Sequence, residues 1–174
     1  MSDACVEFFL AKLKLEQAEP TPRWMMVSVV HQRLWAYEGT KLIKEYKCST
    51  SVKPVSCAWG SNGTPLGLHK IAEKFGDGEP AGTVFEQRVS TGKTAEPGEE
   101  KGLITSRILW LTGAEEGKNL GYDCGSHNRK IYIHGTNLED KIGTRMSGGC
   151  VNMTNADVVE LFAWAREGDW VLID

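Results

Sequence analysis

Apolar residues recur every three or four positions near the N-terminus and about every second position after that. Val6, Phe9, Leu10 and Leu13 follow the i, i+3, i+4, i+7 spacing of one helix face, so residues 4–17 are predicted to form an amphipathic helix. Pro20 and Pro22 end it, because a proline ring removes a backbone donor and collides with the preceding turn. From Trp24 the period shortens. The run WMMVSVVHQRLWAYEGTKLIKEYKCS reads as successive strands with a turn at Glu38-Gly39-Thr40. Residues 51–64 form a polar, glycine-containing loop, and residues 65–75 return to strand. Segments 76–82 and 90–102 are rich in Gly, Pro and Glu and read as loops, with a short strand from Thr83 to Val89 between them.

SRILWLTG (106–113) has the composition of a buried strand. Residues 113–128 carry turn residues throughout and predict a long surface connection, a kind of segment that often carries function. KIYIHG (130–135) is the next strand. The strongest helix pattern is TNADVVELFAWARE (154–167). Thr154 and Asp157 make a capping pair, Val158, Leu161, Phe162 and Ala165 make the apolar face, and Gly168 stands at the expected C′ position. Trp170 to Ile173 closes the chain as a strand. The pattern is therefore mainly β, with a short N-terminal helix and one main helix late in the chain. No internal repeat or second domain is visible.

With 174 residues the chain fits one domain with a real core. A net charge of −3 with no basic run excludes an electrostatic nucleic-acid binder. No stretch is long enough to span a membrane. The N-terminus opens on Asp3 rather than a basic patch, and Phe8 to Ala11 is too short for the apolar part of a secretory signal. The expectation is a cytoplasmic protein or a trimmed form of an exported one. The five cysteines form no CxxC pair, so a structural zinc site is not expected. A Cys48–Cys57 bridge stays open on spacing alone, and the odd count leaves at least one free thiol.

Chemistry concentrates in IYIHGTNLEDKIGTRMSGGCVNM (131–153). His134 ends a strand, and Cys150 follows sixteen residues later behind Ser147-Gly148-Gly149. A thiol nucleophile needs a base to take its proton, usually imidazole, and backbone N–H groups for the developing oxyanion. Two glycines let the backbone turn tightly there, so the amides of Gly149 and Cys150 are the candidate oxyanion donors. The helix that follows adds positive potential. His69 alternates onto the strand face of Gly67 and Ile71, where it could line the site, although a satisfied core histidine is the commoner outcome. His31, His127 and Cys124 have no evident partner.

This segment closely resembles the L,D-transpeptidase catalytic (YkuD) domain. That signature is His-Gly, a spacer, then Ser/Thr-x-Gly-Cys, an apolar residue and Arg or Asn. Here it reads His134-Gly135, then Ser147-Gly148-Gly149-Cys150-Val151-Asn152. Thr64-Pro65-Leu66-Gly67 resembles the family's Thr-Pro-x-Gly element, and LHKIAEKFGDGEPAGTVFEQR, SRILWLTG, the late helix and Trp170–Ile173 also fit. The likeness begins near Trp24, which leaves residues 1–22 as a helical extension and 23–174 as the catalytic domain. One position departs from the pattern: the residue before Gly-Cys, commonly His or Arg in the family, is Gly148.

The resemblance implies a β-sandwich of mixed sheets with the Cys loop beside the main helix. It implies Cys150 as nucleophile, His134 as base in an ion pair with a lowered thiol pKa, and the Gly135 carbonyl as the group that orients the imidazole. Ser147 would brace the loop or touch substrate, Gly148 would shape substrate preference, and Asn152 would hydrogen-bond within the loop. The implied partners are peptidoglycan stem peptides as donor and acceptor, with 3→3 cross-linking or attachment of an envelope protein, and with acylation by carbapenems. No metal or organic cofactor is implied. The implied place of action is the cell envelope or periplasm. Two rivals remain: an L,D-carboxypeptidase, in which water resolves the acyl-enzyme, and a non-catalytic wall-binding domain.

Overall fold

The computed structural model describes residues 2–96 and 98–174. Its ten strands form one mixed, mainly antiparallel hydrogen-bonded network: β1 (Arg23–Ser28), β2 (Arg33–Glu38), β3 (Lys41–Lys47), β4 (Gly67–Phe75), β5 (Thr83–Glu86), β6 (Val89–Thr94), β7 (Ile104–Gly113), β8 (Tyr132–Gly135), β9 (Val151–Met153) and β10 (Trp170–Ile173). The main path runs β3-β2-β1-β10-β4-β7-β5-β6, and β8 with β9 branch from β7. Two α-helices, α1 (Ser2–Leu15) and α2 (Asn155–Trp164), complete the mainly β fold expected from the residue pattern.

Each strand sorts its side chains by the two-residue period of the pleat. One face contributes Met25, Ala36, Ile71, Leu111 and Val171 to the main core, where they meet Ile133, Val151 and the α2 residues Val158, Leu161 and Phe162. The other face of β1, β2 and β10 is covered by α1. Phe9 stacks on Trp24 at 3.9 Å between centroids, and Trp24 stacks on Tyr37 at 4.2 Å. Val6, Phe9 and Leu13 are buried as the periodicity requires, whereas Leu10 faces water. No helix among the described residues is long and apolar enough to cross a membrane.

Several boundaries differ from the sequence expectation. Residues 90–94, expected as loop, belong to strand β6 (Val89–Thr94). Its ladder is to β5 and all its residues are at least partly exposed, so no apolar alternation marks it. β9 is three residues long, too short for a period to show. Thr154 caps α2 by accepting the Asp157 amide at 3.2 Å, but the helix stops at Trp164 with Ala165 extended. Gly168 (φ +88°) therefore serves the next turn and is not the C′ residue. That turn is closed by the Asp169 carboxylate, which accepts the Arg166 amide at 2.8 Å.

Candidate active site

β8 and β9 run parallel, with Ile133 opposite Val151 and His134 opposite Asn152. Ile133, Val151 and Met153 are fully buried in the main core. Alternation therefore puts Tyr132, His134, Asn152 and Cys150 on the opposite face. There Tyr132 packs with Phe85, Ile108 and Trp110, and Cys150 lies against that small cluster. His134, Ser147, Gly148, Cys150 and Asn152 line one cavity of about 470 Å³, with Leu103 and Ile104 on its other wall. The structure thus brings the predicted nucleophile and base to one cavity.

The Cys150 turn is held by its own hydroxyl. Ser147 Oγ donates to the Cys150 carbonyl at 2.6 Å and accepts the Gly149 amide at 3.2 Å. Gly149 has φ +124°, a conformation that a side chain would strain. The amides of Met146 and Ser147 both donate to the Thr50 carbonyl, and Asn152 exchanges two backbone bonds with Ser49. Thr64 accepts the Ser51 amide on the far side of that segment, which ties the Thr-Pro-x-Gly element into the same assembly.

His134 Nδ1 donates to the Gly135 carbonyl at 2.7 Å. A carbonyl only accepts, so Nδ1 carries the proton and Nε2 presents a lone pair. Gly135 must be glycine for a packing reason. A Cβ there would meet the Thr105 carbonyl at 2.7 Å and Asn155 Oδ1 at 2.9 Å. The Cys150 thiol faces the Tyr132 amide at 3.4 Å and the Lys130 carbonyl at 3.4 Å. Burial pushes this thiol up to about 11, partly opposed by the Tyr132 N–H and the Arg129 charge. Burial takes His134 down to about 4, partly opposed by the Gly135 carbonyl. Burial disfavours both charged forms and so works against the ion pair that the resemblance implies.

Two further expectations change. The Gly149 amide is occupied by Ser147 Oγ and is not aimed into the cavity. His69 lies elsewhere, fully buried, with Nδ1 on the Gly67 carbonyl and Nε2 on Ser126 Oγ, both at 2.9 Å. It is a satisfied core histidine, held neutral by burial that takes it down to about 4. The Tyr132 amide and Arg129 were not singled out in the sequence. A backbone N–H has no sequence signal, and Arg129 reads as one charge in a polar loop. Asn152 Oδ1 is buried, lacks a hydrogen-bond partner among the described residues and belongs to a residue that lines the cavity. All five cysteines are free thiols, so Cys48 and Cys57 are not bridged. Burial pushes Cys48 up to about 12 within the main core.

A family model described as the L,D-transpeptidase catalytic domain, YkuD, matches residues 22–173. A Bacillus subtilis (strain 168) protein named as an L,D-transpeptidase, YqjB, is 44% identical over 55 residues, 31% of this chain and 31% of that protein. An L,D-transpeptidase from Mycobacterium smegmatis has a similar fold, with a TM-score of 0.56 at 13% identity over 88% of this chain and 58% of that one. L,D-transpeptidase 3 from Mycobacterium tuberculosis, solved with a faropenem-derived adduct, gives 0.55 at 10% identity over 88% and 60%. At these identities the two structures speak to fold alone. The matched stretch covers less than two thirds of each of these three relatives.

Proposed function

The chain belongs to the L,D-transpeptidase catalytic-domain (YkuD) family, and on that premise we propose that it is an acyl-transferring enzyme with Cys150 as nucleophile and His134 as base. One observation carries the reading. His134 on β8 and Cys150, the residue just before β9, line one cavity, and the Gly135 carbonyl holds Nδ1–H so that the Nε2 lone pair is available. The donor is a peptidoglycan stem peptide. Cys150 Sγ attacks the carbonyl of its third residue, at the L-centre, while His134 Nε2 takes the thiol proton. The C–N bond to the terminal D-alanine breaks, and the imidazolium returns that proton to the departing amine. A thioester remains. The amine of a second stem then attacks it, His134 takes a proton from that amine, and the thiol is restored as a 3→3 cross-link forms.

Burial disfavours the charged form of each group, so in this mechanism the proton moves during attack rather than before it. The Tyr132 N–H beside Sγ offsets charge on sulfur, and the Cys150 amide is the backbone donor left for the oxyanion once Ser147 has taken Gly149. Asn152 Oδ1, buried without a partner, is suited to accept an N–H of the donor backbone. A β-lactam presents a comparable strained acyl group, so carbapenem acylation of Cys150 belongs to the proposal. Cross-linking of peptidoglycan would take place in the cell envelope, and trimming of muropeptides could take place in the cytoplasm.

The test is incubation with a purified tetrapeptide muropeptide, with intact mass measured after carbapenem addition. Dimers and a Cys150 adduct are expected. Tripeptide alone would mean an L,D-carboxypeptidase. No product and no adduct from folded protein would leave a wall-binding domain and overturn the enzyme reading. Cys150→Ser should stay folded and lose both products.

A further inference from the structure

Two large aromatic side chains stand in water on neighbouring loops. Trp59 is 66% exposed and Tyr122 is 90% exposed, whereas Trp24, Trp35, Trp110 and Trp170 are all buried. The two loops are fixed to each other. The Trp59 amide donates to the Asp123 carbonyl at 3.0 Å. The Arg129 guanidinium donates to the carbonyls of Ser56 (2.9 Å) and Gly63 (2.7 Å), while the Arg129 amide donates to Gly125 O at 3.0 Å. The aromatic pair is thus presented on a braced frame, and exposed aromatic surface of this kind marks contact with a ligand or partner.

Trp59 and Tyr122 line a cleft of about 500 Å³ together with Asp123 and Asn128. Trp59 and Asn128 also line a second cleft of about 290 Å³, which continues past Arg129 and Lys130 to Gly148. The Lys130 carbonyl is 3.4 Å from Cys150 Sγ. Gly148 has no side chain to close this route, and the space where a Cβ would stand is empty to 4 Å. The aromatic cleft is therefore continuous with the turn that carries the candidate nucleophile.

We propose that Trp59 and Tyr122 form a sugar subsite for an N-acetylated hexosamine of the glycan strand, from which the donor stem runs along Asn128 and Lys130, past Gly148, to Cys150. This inference rests on the proposed function above. A pyranose has an apolar C–H face and a polar rim. Its polarised C–H groups are attracted to the electron-rich face of an aromatic ring. The Asn128 amide and Asp123 carboxylate supply acceptors for hydroxyl and N-acetyl N–H groups, and the Asn128 amide also supplies a donor. A cleft with aromatic faces and a few polar groups has the anatomy of a small-ligand site. The order along the surface, from the aromatic cleft past Gly148 to Cys150, follows the covalent order of the substrate from sugar through stem to reacting carbonyl.

The experiment compares two donors on full-length protein: a tetrapeptide free of sugar and the same tetrapeptide on its disaccharide. Tyr122→Ala should raise KM for the disaccharide donor about fivefold or more with kcat unchanged, and leave the free tetrapeptide within about twofold, whereas Trp59→Ala, which also opens the stem cleft, should raise KM for both donors and more for the disaccharide. Trp59→Phe, which keeps an aromatic face, should recover most of the loss. Independently of turnover, chitotetraose should bind the wild type and fail to bind the double alanine variant, read by calorimetry. Chitotetraose binding without turnover of either donor would sink the catalytic reading and support the subsite. Turnover of the disaccharide donor without chitotetraose binding, or equal losses on both donors, would overturn the subsite. So would a concentration-dependent dimer abolished by Trp59→Ala in a protein that binds no sugar.

Discussion

Ser147 Oγ donates to the Cys150 carbonyl across a three-residue turn at 2.6 Å, and the same oxygen accepts the Gly149 amide at 3.2 Å. One hydroxyl therefore sets the backbone that presents the thiol. Ser147 is 6% exposed, so water cannot readily replace it. Ser147→Ala should cost about 1–3 kcal/mol, read as a lower urea midpoint, and slow carbapenem acylation of Cys150. Ser147→Thr keeps the oxygen and should recover both. Unchanged acylation in the alanine variant would mean that the turn holds without it.

The glycines of this region should separate sharply. Gly135→Ala drives a methyl group into the Thr105 carbonyl and Asn155, and should destabilise the fold by about 1–3 kcal/mol while displacing the carbonyl that orients His134. Gly148→Ala meets nothing within 4 Å, and its φ is not in the left-handed region, so stability should hold or rise by about 0.4–1 kcal/mol. Thermal melts of the two variants check both statements.

Burial of the Cys150 thiol makes a kinetic prediction. With the thiol held at about 11, iodoacetamide should alkylate Cys150 at pH 7 roughly two orders of magnitude more slowly than a free thiol, and the rate should climb without a plateau to pH 10. His134→Ala should leave that profile nearly unchanged and abolish carbapenem acylation. A plateau below pH 8 would show that an ion pair forms at rest.

Acid should weaken the fold through two buried histidines. His134 and His69 are both lowered from 6.5 to about 4, so between these values the unfolded chain binds more protons than the native one. Their contribution is complete above pH 6.5 and lost as pH falls towards 4. At pH 5 the loss is about 2 kcal/mol for each histidine. Urea midpoints at pH 7 and pH 5 measure it, and His69→Gln should shrink the difference.

The N-terminal helix lies outside residues 22–173 yet closes a core. Phe9 is 1% exposed against Trp24. Phe9→Ala should cost about 3–5 kcal/mol and lower the melting temperature without changing the acylation chemistry of the protein that remains folded.

Sequence alone determined the parts whose signals are local. The period of apolar residues located α1 and most strands, the Thr154–Asp157 pair located the cap, and the His134-Gly135 and Ser147-to-Asn152 segments identified the family and the candidate chemistry. β6 and β9 were not legible, because one is a polar edge and the other is three residues long, and both exist through their partners. Tertiary structure decided which groups meet. The β8–β9 register puts His134 and Cys150 on one face, and the packing around them disfavours the charged form of each, which the motif could not reveal. The same register leaves Asn152 Oδ1 unpaired, while the core encloses His69 and satisfies both of its nitrogens. Proton affinity and access depend on neighbours far apart in the chain, including Gly63 beside Gly149 and Lys130 beside Cys150. A motif specifies a residue's type and spacing, but its environment is a property of the packed whole.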